Sequence, residues 1–305
     1  MHQFGLKFVS KSKTVFMKKS LFLTVLFISQ VCFAQRFHLG VFAGGANYLG
    51  ELNDKLYKRT KLAAGVSLNY ELSDRVMLRG GLTLGKVEGA DRYSGSETVK
   101  QIRNLSFQSN ITEFSLLGEL TAFNLYNIRW SPYAFAGIAV YHFNPYINDS
   151  GSKVFLQPLS TEGQGLAQYP DRKPYALTQF SIPFGGGIKY NINDNIRIGL
   201  ELGMRRLFTD YLDDVSMSYA DEDLLLAAKG PDAVRFAYRG DEVPGEAQGY
   251  PDIGYPAKDA QRGNPKANDW MYFTGIHLTF RLGGGYGKTS ASGNKNGYGC
   301  PKVPM

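Results

Sequence analysis

Hydrolysis needs a base held against an acid, and position offers one such pairing. His142 lies near the end of one alternating segment, and Asp210, Asp213 and Asp214 open a long segment at the same predicted rim. An aspartate and a histidine brought together there could activate water. No serine, histidine and aspartate fall into a compelling set, and His38 and His277 sit inside alternating segments where packing or hydrogen bonding accounts for them. The run Asp221-Glu222-Asp223 lacks the glycine and terminal glutamate of a calcium loop and reads as a solvated face. Gly287-Lys288-Thr289 resembles the end of a phosphate-binding loop, but Leu282 stands where that loop requires glycine and no helix is expected after it. The expectation is a protein that is not an enzyme, with no cofactor and no metal.

The first 34 residues read as an address. Lys7, Lys11, Lys13, Lys18 and Lys19 precede an apolar run from Leu21 to Phe33, and Cys32-Phe33-Ala34 offers small residues where a signal peptidase reads, so cleavage is expected after Ala34. Met17-Lys18-Lys19 would also make a conventional start. A lipoprotein reading of Cys32 is weaker, because Val31 occupies a position that favours a small residue. The run is also shorter than the roughly 20 residues of a membrane helix. The chain has 34 basic and 27 acidic residues; without the leader's five lysines the balance falls to +2. The basic character belongs mostly to the address, and a nucleic-acid partner loses its support.

Beyond the leader the chain is organised by alternation. Leu62, Ala64, Val66, Leu68, Tyr70 and Leu72 interleave with Ala63, Gly65, Ser67, Asn69 and Glu71, giving one face to lipid and one to a polar interior. Eight such segments are predicted: 36–47, 61–72, 75–86, 110–123, 132–144, 178–190, 196–208 and 270–281. Parity supports the facing at two turns: odd numbers of residues separate Leu72 from Val76 and Tyr190 from Ile196. The fold class is therefore all-β: an eight-stranded antiparallel transmembrane β-barrel over residues 35–282. Lipid-facing rows are expected to include Leu39 and Val41, Leu78 and Leu82, Phe114 and Leu116, then Tyr133, Phe135, Ala139, Tyr141 and Phe143. Phe180, Ile182 and Phe184, Leu200 and Leu202, and Tyr272, Ile276 and Phe280 continue the band.

An export signal puts the N-terminus in the periplasm, so the links at 73–75, 124–131 and 191–195 become short periplasmic turns. Those at 48–60, 87–109, 145–177 and 209–269 become longer external loops, and the protein belongs in the outer membrane. A soluble sandwich is the competing architecture, but its strands are rarely this long. Inward rows carry Arg79, Glu113, Glu119, Arg197, Glu201 and Arg205. Eight strands enclose room for side chains only, so these charges predict a salt-bridged plug rather than a pore. Residues 209–269 hold 13 acidic and six basic residues. Asp210, Asp213, Asp214, Asp221, Glu222 and Asp223 are thus expected to form an external acidic cap for a basic or cation-bridged partner.

Residues 283–305 form a Gly-, Ser-, Asn- and Lys-rich flexible tail, returned to the periplasm by the strand count. It carries Tyr298, Cys300, Pro301 and Lys302. With Cys32 removed, Cys300 is the sole cysteine, which in an exported protein means an intermolecular disulfide or a free thiol. Three stretches, Asn47 to Leu52, Phe208 to Ser216 and Tyr298 to Lys302, make the chain similar to the PorG-like small outer-membrane barrels of type IX secretion. The resemblance implies an accessory barrel bound on its periplasmic side to a ring lipoprotein. Tyr298, Cys300, Pro301 and Lys302 would meet that partner, with Cys300 expected to be disulfide-linked to it. The expected function is anchoring or positioning a periplasmic secretion assembly. The alternatives are a surface adhesin or receptor acting through the large loops, and a rim hydrolase.

Overall fold

The computed structural model describes residues 36–53, 55–93, 102–243 and 254–283. The leader and most of the tail lie outside these residues. In chain order the strands are β1 (Phe37–Leu49), β2 (Lys61–Glu71), β3 (Val76–Ala90), β4 (Ser106–Thr121), β5 (Trp130–His142), β6 (Pro145–Asp149), β7 (Ser152–Phe155), β8 (Thr178–Asn191), β9 (Ile196–Leu207) and β10 (Trp270–Leu282). Eight of them pair antiparallel in the order β3-β2-β1-β10-β9-β8-β5-β4, and β4 pairs back onto β3. The barrel is closed. β6 and β7 form a hairpin added to the extended end of β4 through Gln108 and Ser109.

First and last strands meet in register from Phe37 opposite Leu282 to Leu49 opposite Trp270. Both ends of the barrel segment therefore lie on the side of the short turns at 72–75, 122–129 and 192–195. Polar side chains shape all three turns: Ser73 Oγ accepts from the Val76 amide (3.2 Å), Asn124 Oδ1 from the Tyr126 amide (2.8 Å) and Asn193 Oδ1 from the Ile196 amide (2.8 Å). Four long segments, 50–60, 91–105, 143–177 and 208–269, rise from the opposite end.

Outward rows are apolar and exposed, among them Leu62, Val66, Leu82, Phe114, Phe180 and Leu200. Tyr272 is outward by parity but buried, because the β1–β2 link folds over it: the Tyr57 amide donates to its hydroxyl and the two rings meet edge-on at 5.5 Å. On β5 the expected facing is reversed. Tyr133, Phe135, Ala139 and Tyr141 are buried inside, as is Phe143 just beyond the strand, while Trp130, Ile138 and Val140 face out. Register dictates this, since Ala134 lies opposite outward-facing Leu120 on β4. Space allows it, because a Cβ on inward-facing Gly185 or Gly203 would come within 2.8 or 3.0 Å of the Phe135 ring, and one on Gly187 within 3.0 Å of the Tyr133 ring. Glycines on β8 and β9 make room for the β5 aromatics.

Among the described residues of segment 208–269 are the α-helices α1 (Glu222–Lys229) and α2 (Pro231–Ala237). Asp221 caps α1 by accepting from the Leu224 amide, and Gly230, at φ 87°, turns the chain into Pro231 at the start of α2. Leu225, Ala233 and Ala237 bury their side chains against Leu166 and Tyr169 of the segment before β8. The long segments thus pack on each other as a roof.

Candidate functional site

Two buried polar regions stand out, one inside the barrel and one in the roof. Inside, Arg79 donates to Glu201 at 2.6 Å and lies 4.0 Å from Glu119, which also pairs with Lys189. Arg205 binds Glu113 through two nitrogens at 3.1 and 3.0 Å, and Arg197 and Arg281 converge on Glu71 from β9 and β10. The six predicted interior charges all face inward, in pairs completed by Glu71, Lys189 and Arg281. The β5 aromatics complete the plug. The Tyr133 hydroxyl donates to Glu201 at 2.8 Å, the Arg79 guanidinium lies 4.7 Å from the Phe135 ring centre, and Lys189 lies 4.6 Å from that of Tyr133. His277 contacts Ser67 at 3.1 Å, while neither ring nitrogen of buried His38 has a hydrogen-bond partner.

A cavity of about 40 Å³ remains beside Ser67, Arg79, Ser115, Glu201 and His277. That is room for a few waters, and a smaller space of about 10 Å³ lies beside Glu71, Glu119, Lys189 and Arg197. Above it, Phe107, Tyr141, Phe143, Leu207, Met271 and Phe273 pack into an apolar layer that closes the long-loop end. Salt bridges fill the lumen, and aromatic packing seals it.

The roof is held by a second set of buried ions. Arg262 sits between Glu162 (2.9 Å) and Asp214 (3.7 Å), and it also donates to the Ala237 carbonyl. Glu162 accepts from the amides of Ser216 and Met217 and from the Tyr211 hydroxyl. Asp214 accepts from the hydroxyls of Thr161 (2.6 Å) and Tyr175 (2.7 Å). Arg103, held by Asp91 through two nitrogens, donates to the Arg262 carbonyl. One node therefore ties together three long segments. Burial pushes the Asp214 carboxyl up to about 6, against the opposing pull of Arg262 and the two hydroxyls.

The expected acidic cap divides in two. Glu222 and Asp223 are exposed on α1, and half-buried Asp221 caps it. Asp210, Asp213 and Asp214 are buried, which corrects the reading of them as surface charge. Asp213 accepts from the Tyr48 hydroxyl at 2.5 Å and from the Val215 amide at 2.9 Å. Nor does the rim assemble His142 with an aspartate: the exposed His142 ring contacts the Thr178 hydroxyl at 3.0 Å. Tyr298, Cys300, Pro301 and Lys302 lie outside the described residues. Sequence reading passed over Glu51, Glu162, Arg262 and Asp269 because single charges scattered over 200 positions carry no periodic signal.

A sealed eight-stranded wall, apolar outside and ion-paired within, defines a small β-barrel of the outer-membrane type. By sequence the chain belongs to the family described as Domain of unknown function (DUF6089), matched over residues 17–227. No curated protein matches it. Among solved structures it is similar to neisserial surface protein A (TM-score 0.40, 8% identity, covering 80% of this chain and 96% of that one). It is also similar to OprG of Pseudomonas aeruginosa (0.37, 10%, 81% and 97%) and to the outer-membrane enzyme PagL (0.29, 10%, 80% and 99%).

Proposed function

We propose that this chain is a non-catalytic anchor of the outer membrane. It spans the bilayer as a closed barrel and holds a periplasmic secretion assembly of the type IX kind through its C-terminal tail. The observation that carries the reading is the filled lumen: a barrel packed with the Arg79, Arg205 and Glu71 ion pairs, with only cavities of about 40 and 10 Å³ between them, offers no open passage and acts through its surfaces. Support for the periplasmic side comes from the pairing of Phe37 with Leu282, which puts both ends of the barrel segment among the short turns. In bacterial barrels those turns are periplasmic.

The resemblance to PorG-like barrels then divides by region. The 208–216 run is explained by roof packing, since Asp210, Asp213, Val215 and Ser216 are buried there. The tail with Tyr298 to Lys302 lies outside the described residues, and the secretion reading rests on its resemblance. The ring lipoprotein is the expected partner and Cys300 the expected disulfide. A second reading, a surface receptor, draws on the ordered roof, where α1 presents Leu226, Glu222 and Asp223 to solvent.

Deleting residues 284–305 separates the two. The anchor requires lost secretion and lost co-purification of periplasmic lipoprotein while the barrel remains folded and heat-modifiable on gels. Cys300→Ser should abolish a reductant-sensitive high-mass band. Unchanged secretion in the truncated protein, or steady conductance of the intact protein in planar bilayers, would overturn the proposal.

A further inference from the structure

Above the apolar layer, three carboxylates from distant parts of the chain meet. Glu51 follows β1, Asp210 follows β9 and Asp269 precedes β10, and one oxygen from each lies within 4.8 Å of the others. Their hydrogen bonding is one-sided. Glu51 Oε1 accepts from the Asn264 amide (3.1 Å) and Asp269 Oδ2 from the Leu212 amide (2.9 Å), which fixes the orientation of both groups. The other oxygens, Glu51 Oε2 and Asp269 Oδ1, are buried without a hydrogen-bond partner, as are both oxygens of Asp210. Asp210 is 6% exposed and Asp269 fully buried.

Of the described cations, Arg103 draws on the Glu51 charge, but it and Arg262 have carboxylate partners of their own. Arg262 is engaged by Glu162 and Asp214, and Arg103 is held by Asp91. Asp213, next to the group, adds another carboxylate whose own oxygens are taken by Tyr48 and Val215. The Tyr141 hydroxyl, within reach of the Asp269 charge, is likewise buried and unpartnered. Close approach is enforced at Gly50, where a Cβ would lie 2.1 Å from Asp269 Oδ1 and 2.1 Å from the Tyr48 hydroxyl. Burial, then the like charge of Glu51, pushes the Asp210 carboxyl up to about 8, against a weak pull from the nearby Ser216, and burial and the other acids push Asp269 well up too. Left alone, the group is strained as anions, and only protons shared among its carboxyls would relieve it.

We propose that Glu51, Asp210 and Asp269 bind a hard divalent cation, Ca²⁺, which clasps the two flanks of the longest loop to the segment after β1. All-oxygen carboxylate donors select hard ions over softer metals. Ca²⁺ sits about 2.3–2.6 Å from its ligands in flexible geometry, so oxygens within 4.8 Å of one another can reach it; Mg²⁺ demands a near-ideal octahedron and dehydrates reluctantly, which three fixed carboxylates serve less well. Asp213 acts as a positioning residue, set by Tyr48 and lending charge without a free oxygen.

The test is titration of CaCl₂, with MgCl₂ in parallel, into the full-length protein folded in detergent micelles and stripped with chelator, read by calorimetry. One saturable Ca²⁺ site per chain is expected, with at least tenfold weaker Mg²⁺ binding. Asp210→Asn and Asp269→Asn should each weaken Ca²⁺ at least tenfold in barrels that remain heat-modifiable. Glu222→Gln with Asp223→Asn, on the exposed face of α1, should leave it unchanged. Absence of Ca²⁺ binding by the folded protein, or binding lost with the α1 pair and kept by Asp210→Asn, would overturn the site. A parallel measurement, protection of roof amides from hydrogen exchange with and without Ca²⁺, should show slowing at 208–215 and 264–269; exchange indifferent to Ca²⁺ would overturn the clasp.

Discussion

Replacing Arg262 with alanine should open the roof and spare the barrel. The guanidinium is buried between Glu162 and Asp214, both of them fully buried, and it also reaches the Ala237 and Asp214 carbonyls. Removing one partner of a buried ion pair costs about 3–5 kcal/mol, because the remaining charge stays desolvated and unpaired. Tyr211, Thr161, Tyr175 and the Ser216 and Met217 amides still satisfy part of each carboxylate, which favours the lower half of that range. At about 1.4 kcal/mol per decade, roof opening should become roughly 100- to 1,000-fold more frequent. Amide hydrogen exchange in micelles reads this directly. Amides around 160–166 and 214–220 should lose that much protection, while those of β2, β3 and β9 keep theirs. Arg262→Met with Glu162→Gln should recover part of the loss, since two neutral groups need no cation. Less than tenfold change at the roof, or equal loss across the barrel strands, would refute the node as the roof's fastener.

The barrel wall supplies two more tests. Arg79→Ala leaves Glu201 and Glu119 facing each other beside Lys189, and should lower barrel stability by about 3–5 kcal/mol in urea titrations; Glu201→Gln should cost less, because Arg79 keeps Glu119 at 4.0 Å. Ile138→Lys puts a cation on the lipid face of β5, where about 2–4 kcal/mol is expected at mid-membrane, while Phe135→Ala empties an inward site and should cost about 3–5 kcal/mol. A neutral Ile138→Lys, judged by folding yield into lipid vesicles, would contradict the facing of that strand.

Period-two alternation made the barrel legible because lipid and lumen impose opposite chemistry on successive residues. That contrast is clear where the inward row is Ala63, Gly65, Ser67, Asn69 and Glu71, and all eight wall strands lie within a few residues of their expected ends. It fails on β5, where both rows are apolar: Ala134, Ile138 and Val140 outward, Tyr133, Phe135 and Tyr141 inward. Hydrophobicity cannot decide between two apolar faces. The deciding signal lay on other strands, in the inward glycines Gly185, Gly187 and Gly203, which leave a space that only large side chains can fill. A barrel interior is packed across its width, so the size of one row has to be judged against the rows facing it.

The aspartates after β9 failed for a different reason. Charge counted along a segment predicts a solvated face only if the segment has nothing to fold against. Here segment 208–269 packs under its own helices and against segments 143–177 and 91–105, so Asp210, Asp213 and Asp214 turn inward. Each buried carboxylate then requires a partner, and the described residues supply them unevenly: Arg262 and two hydroxyls for Asp214, Tyr48 and a backbone amide for Asp213, and no hydrogen-bond donor for Asp210. Three aspartates within five residues thus have three separate duties, and only their neighbours in space distinguish them. The unevenness itself is informative. A chain that can place Arg262 beside Asp214 could have placed a cation beside Asp210, and it placed Glu51 and Asp269 there instead, as a site for an ion drawn from solution requires.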